Sequence, residues 1–156
     1  MKARKGFTLI ELLIVMAIIA ALMAVLIPMA TGAMKKANAT KIAVQLRNLE
    51  QGTEQYVLST LPNKTESDGD TIVSTAVTIS DAGFANEDFA KDPKLKTLNV
   101  TGYPSENKIR IDITYSPGDG SLAELIKGSL KDAYEVKIDN TSSDITITST
   151  VDAFWW

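Results

Sequence analysis

The chain has no cysteine and no histidine among its 156 residues. Disulfide staples, thiolate metal sites, imidazole ligands and the Ser-His and Cys-His nucleophile pairs are therefore all excluded. Aromatics are sparse, with four Phe, four Tyr and two Trp, so dense aromatic stacking is not expected. Basic charge is not in excess either: 16 Lys and Arg face 19 Asp and Glu, a formal charge of −3. That balance argues against a nucleic-acid-binding surface. With no phosphate-cradling glycine loop as well, the sequence points to neither an enzyme nor a cofactor or metal protein.

What the chain does have is concentrated at its start. Behind Lys2, Arg4 and Lys5 runs an apolar stretch of 24 residues, Phe7 to Ala30, whose one charge is Glu11. As a helix this stretch rises about 36 Å, more than the roughly 30 Å of a hydrocarbon core. It also exceeds the roughly 7–15 residues of a secretory signal, although Thr31-Gly32-Ala33 would pass as a cleavage site. A membrane anchor is the better fit, with the basic residues on the cytoplasmic side and the remainder of the chain outside. A carboxylate at such depth costs roughly 2.5–3.5 kcal/mol or more unless it is partnered. Glu11 thus demands a partner.

The run Gly6-Phe7-Thr8-Leu9-Ile10-Glu11-Leu12-Leu13 resembles the processing and assembly motif of bacterial type IV pilins and of the pseudopilins of type II secretion. The resemblance is close over about the first sixty residues and architectural beyond them. It implies cleavage between Gly6 and Phe7 by a prepilin peptidase, N-methylation of Phe7, and contact of Glu11 with the new N-terminus of a neighbouring subunit. The chemistry agrees: before the cut residue 7 offers only a peptide nitrogen, and the cut creates a cation that methylation preserves. Phe7 and Glu11 are also one helical turn apart, so a pair within one subunit is geometrically open too. In either case the acid occupies the first turn of the mature helix, where the macrodipole favours it. Loss of the leader would reduce the basic residues from 16 to 13 against 19 acidic ones, for a charge of −6.

The same resemblance implies a self-assembling filament subunit, held in the inner membrane as a precursor and moved to the cell surface. Its implied partners are further copies of the chain, the peptidase, an inner-membrane platform protein and a cytoplasmic assembly ATPase, with adhesion, twitching motility or DNA uptake as roles. A pseudopilin in a periplasmic secretion piston is the alternative, and a membrane-anchored periplasmic domain the third reading. Many type IV pilins close a C-terminal loop with a disulfide, which this cysteine-free chain does not share.

Along the chain, Pro28 removes a helix hydrogen bond and Gly32 weakens the same region, which reads as a harmless kink at the membrane surface or, as the resemblance implies, as a segment around 24–32 that melts or stretches on assembly. From Thr31, Ala39, Ile42, Leu46, Leu49, Thr53 and Tyr56 recur at helical spacing, with Lys41, Arg47, Glu50 and Glu54 elsewhere around the barrel. One helix is predicted from Phe7 to about Ser59. Turn formers follow from Pro62 to Asp70, then a weak strand over 71–79 and a short helix over 86–92. Strict alternation makes 108–115 the clearest strand, with Ile109, Ile111, Ile113 and Tyr115 on one face. Ser121 and Glu124 read as a capping box opening a helix to about Lys131, and 134–139 with 145–151 as a hairpin. Phe154-Trp155-Trp156 reads as a tail laid on the sheet. Asp68, Asp70 and Asp119 have too few oxygens for calcium and read as solvated turns; Asp112 and Glu106 read as surface charges. Four Asn-X-Ser/Thr triplets, at Asn38, Asn63, Asn99 and Asn140, read as chance.

The expected fold is α+β: a long transmembrane-plus-amphipathic helix packed on a small antiparallel sheet, with one short helix between strands. The expected segments are a cleaved leader at 1–6, a membrane and filament-core helix at 7–30, an amphipathic continuation at 31–61 and a sheet domain at 62–156. Gly6, Phe7, Glu11 and Pro28 are the residues expected to serve processing and assembly.

Overall fold

The computed structural model describes residues 7–74, 89 and 92–156. The chain forms two compact units, Met1–Ala37 and Asn38–Trp156. Helix α1, Leu9–Thr60, contributes to both. Over its first unit every described side chain is exposed, as expected of a helix apolar on all faces with no partner in the same chain. Pro28 does not break it: the helix continues through that position, and the Thr31 hydroxyl donates to the Pro28 carbonyl at 3.0 Å.

The second unit is built on a sheet. Among the described residues, β1 (Asp70–Ser74), β2 (Leu95–Tyr103), β3 (Lys108–Tyr115), β4 (Glu135–Ile138) and β5 (Ile145–Asp152) form one antiparallel sheet in the order β1-β2-β3-β5-β4. Helix α2, Gly120–Leu130, lies between β3 and β4 in the chain. β3 is central, and its alternation is realised in full: Ile109, Ile111, Ile113 and Tyr115 are buried while the residues between them are half-exposed. The apolar face is closed by Ala39, Ala43, Leu46, Leu49 and Val57 of α1 and by Ala123, Ile126 and Leu130 of α2. The fold is α+β and pilin-like.

Several details depart from the sequence reading. β2 was not expected, because Thr97, Asn99 and Thr101 dilute its pattern and Gly102 weakens strand propensity; its inward residues Leu98 and Val100 are nonetheless fully buried. Helix α2 is capped by Asp119, whose carboxylate accepts from the Ser121 amide and hydroxyl, each at 2.8 Å. The cap thus lies two residues ahead of Ser121, the residue expected to open the helix. β1 ends at Ser74, the remainder of the strand expected over 71–79 lies outside the described residues, and so does most of the helix expected over 86–92.

Glu50 is the largest departure on α1. Helical spacing assigned it to an outer face, yet it is 4% exposed, and its Oε2 accepts from the Tyr134 hydroxyl at 2.9 Å. A buried carboxylate is tolerable only with such a donor. Burial, and then the bond to Glu50, pushes the Tyr134 phenol up to about 12; burial, and then the charge of Asp92, does the same to Tyr115. Raised folded-state values mean that both contributions to stability are complete below about pH 10, the unfolded value, and are lost as pH rises towards 12. The thermal midpoint is expected to fall over that interval, in step with tyrosinate absorbance, and Tyr115→Phe should flatten the fall. A midpoint unchanged between pH 10 and 12 would contradict it.

The acidic turn residues have structural work. Asp68 accepts from the Ser105 amide at 3.0 Å and hydroxyl at 2.6 Å, bracing the β2–β3 turn, and Asp70 accepts from the Ser67 amide at 2.7 Å. Asp112 is held by Arg110 at 2.9 Å and by the Thr148 hydroxyl at 2.6 Å, and Glu106 lies 3.7 Å from Lys108. These pairs account for the acids without chemistry.

The tail is partly as expected. Both tryptophan indoles donate to the Pro62 carbonyl, each at 2.8 Å, using the two lone pairs of one oxygen. Trp156 also covers Gly102, where an added Cβ would lie 3.0 Å from the indole and 2.5 Å from the Thr65 hydroxyl. Thr65 has no flexible end to move aside, so Gly102→Ala is expected to cost about 1–3 kcal/mol by overpacking. Urea unfolding checks this; a loss below about 0.5 kcal/mol would mean that the tail is not seated there.

Candidate functional site

The start of α1 is organised by two side chains. The first intrahelical bond runs from the Leu12 amide to the Thr8 carbonyl at 3.3 Å, which makes Thr8 the N-cap. Its hydroxyl accepts from the Glu11 amide at 3.4 Å, while Glu11 Oε2 accepts from the Thr8 amide at 2.8 Å and from its hydroxyl at 2.6 Å. This is a reciprocal capping box. It satisfies two of the amides that open every helix and places the carboxylate where the helix dipole is positive.

The question posed by the lone acid thus has a local answer that spacing alone did not single out. The signal was present, because Thr8 and Glu11 stand three apart ahead of an apolar run. Two hydrogen bonds hold the carboxylate, from the Thr8 amide and hydroxyl; among the described residues none brings it a cation. The box orients the charge. Pairing with an ammonium remains chemically available to it.

Phe7 immediately precedes the helix and is 89% exposed. Gly6 lies outside the described residues. Pro28 sits five turns further along α1 and makes no contact with the Thr8–Glu11 box, so the structure brings together Glu11 and the stretch beside Phe7 but not Pro28. Around Glu11 the side chains of Leu9, Ile10, Leu12 and Leu13 are all more than half exposed. By length and composition α1 can cross a membrane, and none of its most apolar window is buried. An uninterrupted apolar cylinder of this kind needs lipid or other helices around it.

Residues 1–27 match the family model described as the prokaryotic N-terminal methylation motif. The N-terminal segment thus carries the prepilin-type methylation motif. Similarity to a curated member is strong but local: the type IV wide pilus major component PilA4 of Thermus thermophilus is 54% identical over 56 residues, 36% of this chain and 43% of that protein. The match therefore spans less than half of the relative's length. No solved structure matches the chain. Thr8 and Glu11 both lie within the matched residues.

Proposed function

We propose that this chain is a structural subunit of a type IV pilus filament, stored in the inner membrane and polymerised through α1. A prepilin peptidase cuts between Gly6 and Phe7, the Phe7 amine is methylated, and Glu11 pairs with the amine of a neighbouring subunit. The observation that carries this reading is the combination at the helix start: an apolar cylinder exposed on every side, bearing one carboxylate that a capping box orients.

The energetics assign the parts their roles. A helix passing from lipid into a bundle exchanges one apolar surrounding for another, so water exclusion supplies little drive. Close packing and the Glu11 charge pair supply specificity, and a cytoplasmic ATPase acting through an inner-membrane platform protein supplies the work of extraction. Residues 1–6 act as leader, 7–30 as anchor and filament core, 31–61 as the amphipathic continuation and 62–156 as the outward domain. Pro28, which has no amide to donate to the Ala24 carbonyl, gives 24–32 a turn that stretches more easily than its neighbours. Adhesion, twitching motility or DNA uptake would be properties of the finished fibre. The similarity to a pilus component favours a pilus over a secretion pseudopilin, and the acids that a pseudopilin-like calcium site would draw on are occupied with backbone amides.

Mass spectrometry of the N-terminus of the protein from its native cell tests the reading. The expected result is a chain beginning at monomethylated Phe7. A chain beginning near Lys35 would identify an ordinary secretory signal and end the filament reading.

A further inference from the structure

Two features of the Asn38–Trp156 unit present surface outward. The first is Phe154, 79% exposed, the most exposed large apolar side chain of that unit among the described residues. It stands edge-on to Trp155, with ring centroids 5.0 Å apart and planes at 89°, and Trp155 is itself anchored on Pro62. The ring is thus presented outward on a fixed base, at little further entropic cost to a partner. Exposed Asp152 lies two residues before it.

The second is a groove of about 310 Å³ between the start of the α1 segment in this unit and α2. Ile42 and Leu122 form its apolar walls, and the stacked rings of Phe89 and Tyr115, 5.7 Å apart, line its floor. Lys41 and Lys94 are exposed at its rim. Asp92, the acid of the groove, is turned to the Lys94 amide at 2.9 Å and the Tyr115 hydroxyl at 3.5 Å. The rim is therefore net cationic, and Ile42 and Leu122 offer apolar contact to a ring placed between them.

The two features sit at opposite ends of the sheet. Tyr115 closes β3 at the groove, whereas Lys108, at the other end of the same strand, pairs with Asp152 at the root of the tail. Eight residues of strand separate them, about 25 Å. We infer that Phe154 of one subunit seats in the groove of the next, with Asp152 against Lys41 and Lys94. Among subunits that all point the same way, as the filament reading requires, each contact leaves a free knob and a free groove, so growth is open-ended. This contact rests on the filament reading and specifies an outer joint for it, separate from the α1 bundle.

The lack of native cysteine makes cross-linking a clean test. Sheared filaments of the full chain carrying Phe154→Cys and Leu122→Cys together are expected to give, after mild oxidation, a ladder of covalent multimers on a non-reducing gel, and each single variant none. Filaments without a ladder, or a ladder from either single variant, would overturn the joint and leave the filament reading standing. If the double variant does not assemble, charge exchange decides instead: Asp152→Lys is expected to lower filament yield about tenfold, and adding Lys41→Asp and Lys94→Asp to restore it. Failure of restoration overturns the joint. Absence of filaments from the unsubstituted chain would remove both readings.

Discussion

Glu11→Val is expected to reach the membrane and be cut normally, yet to enter filaments on the order of 10- to 100-fold less efficiently. The range follows from losing a charge-assisted contact of about 1.5–3 kcal/mol per subunit, at 1.4 kcal/mol per factor of ten. Insertion is unaffected, because valine is easier to place in a bilayer than a carboxylate. The capping box, however, makes this variant ambiguous by itself: it removes both the charge and the acceptor for the Thr8 amide and hydroxyl. Glu11→Gln separates the two, since a carboxamide still serves in a capping box but brings no charge to a neighbouring amine. Both variants are expected to be assembly-defective with a normally processed N-terminus. Normal pilus yield from Glu11→Gln, scored by shearing and immunoblot, would reduce Glu11 to a helix cap and remove its proposed role in assembly.

Ile111→Ala is expected to cause the largest loss of stability in the Asn38–Trp156 unit, about 2–5 kcal/mol. Ile111 is fully buried at the middle of the central strand, opposite Val100 of β2 and Ser149 of β5. Neighbours on both sides fix the backbone there, so the void left by the missing atoms cannot collapse. Denaturant unfolding of the detergent-solubilised chain, followed by tryptophan fluorescence, measures it; Trp155 and Trp156 report because they are tied to Pro62. Such a loss is a large share of the 5–15 kcal/mol of an ordinary domain. A change under about 1 kcal/mol would mean that the sheet is not the core of the unit.

Legibility in the sequence followed the strength of local pattern. α1, β3, α2 and the β4–β5 hairpin were read from periodicity because each carries its full pattern within about ten residues. β2 was missed where polar residues and a glycine diluted the alternation, and its strand character comes from pairing with β1 and β3 on either side. The helix face was read to within its apolar residues: Ala39, Leu46 and Leu49 are buried as expected. Glu50 was not, since its place inside depends on Tyr134, 84 residues away. The motif residues were singled out from sequence by the anomaly of one acid in an apolar run, although the capping partner Thr8 was overlooked.

The sequence by itself determined the apolar helix, the lone charge in its first turn, the absence of thiol and imidazole chemistry and the existence of a strand at 108–115. Each of these is set by the chain over short distances, through side-chain polarity and the fixed periods of helix and strand. Only the tertiary structure decided the strand order, the burial of Glu50, the anchoring of both indoles on one carbonyl and the separation of Phe154 from the Lys41–Lys94 groove. Those depend on which distant residues meet. Pairwise hydrogen bonds and shared burial fix that choice, and no periodicity along the chain encodes it.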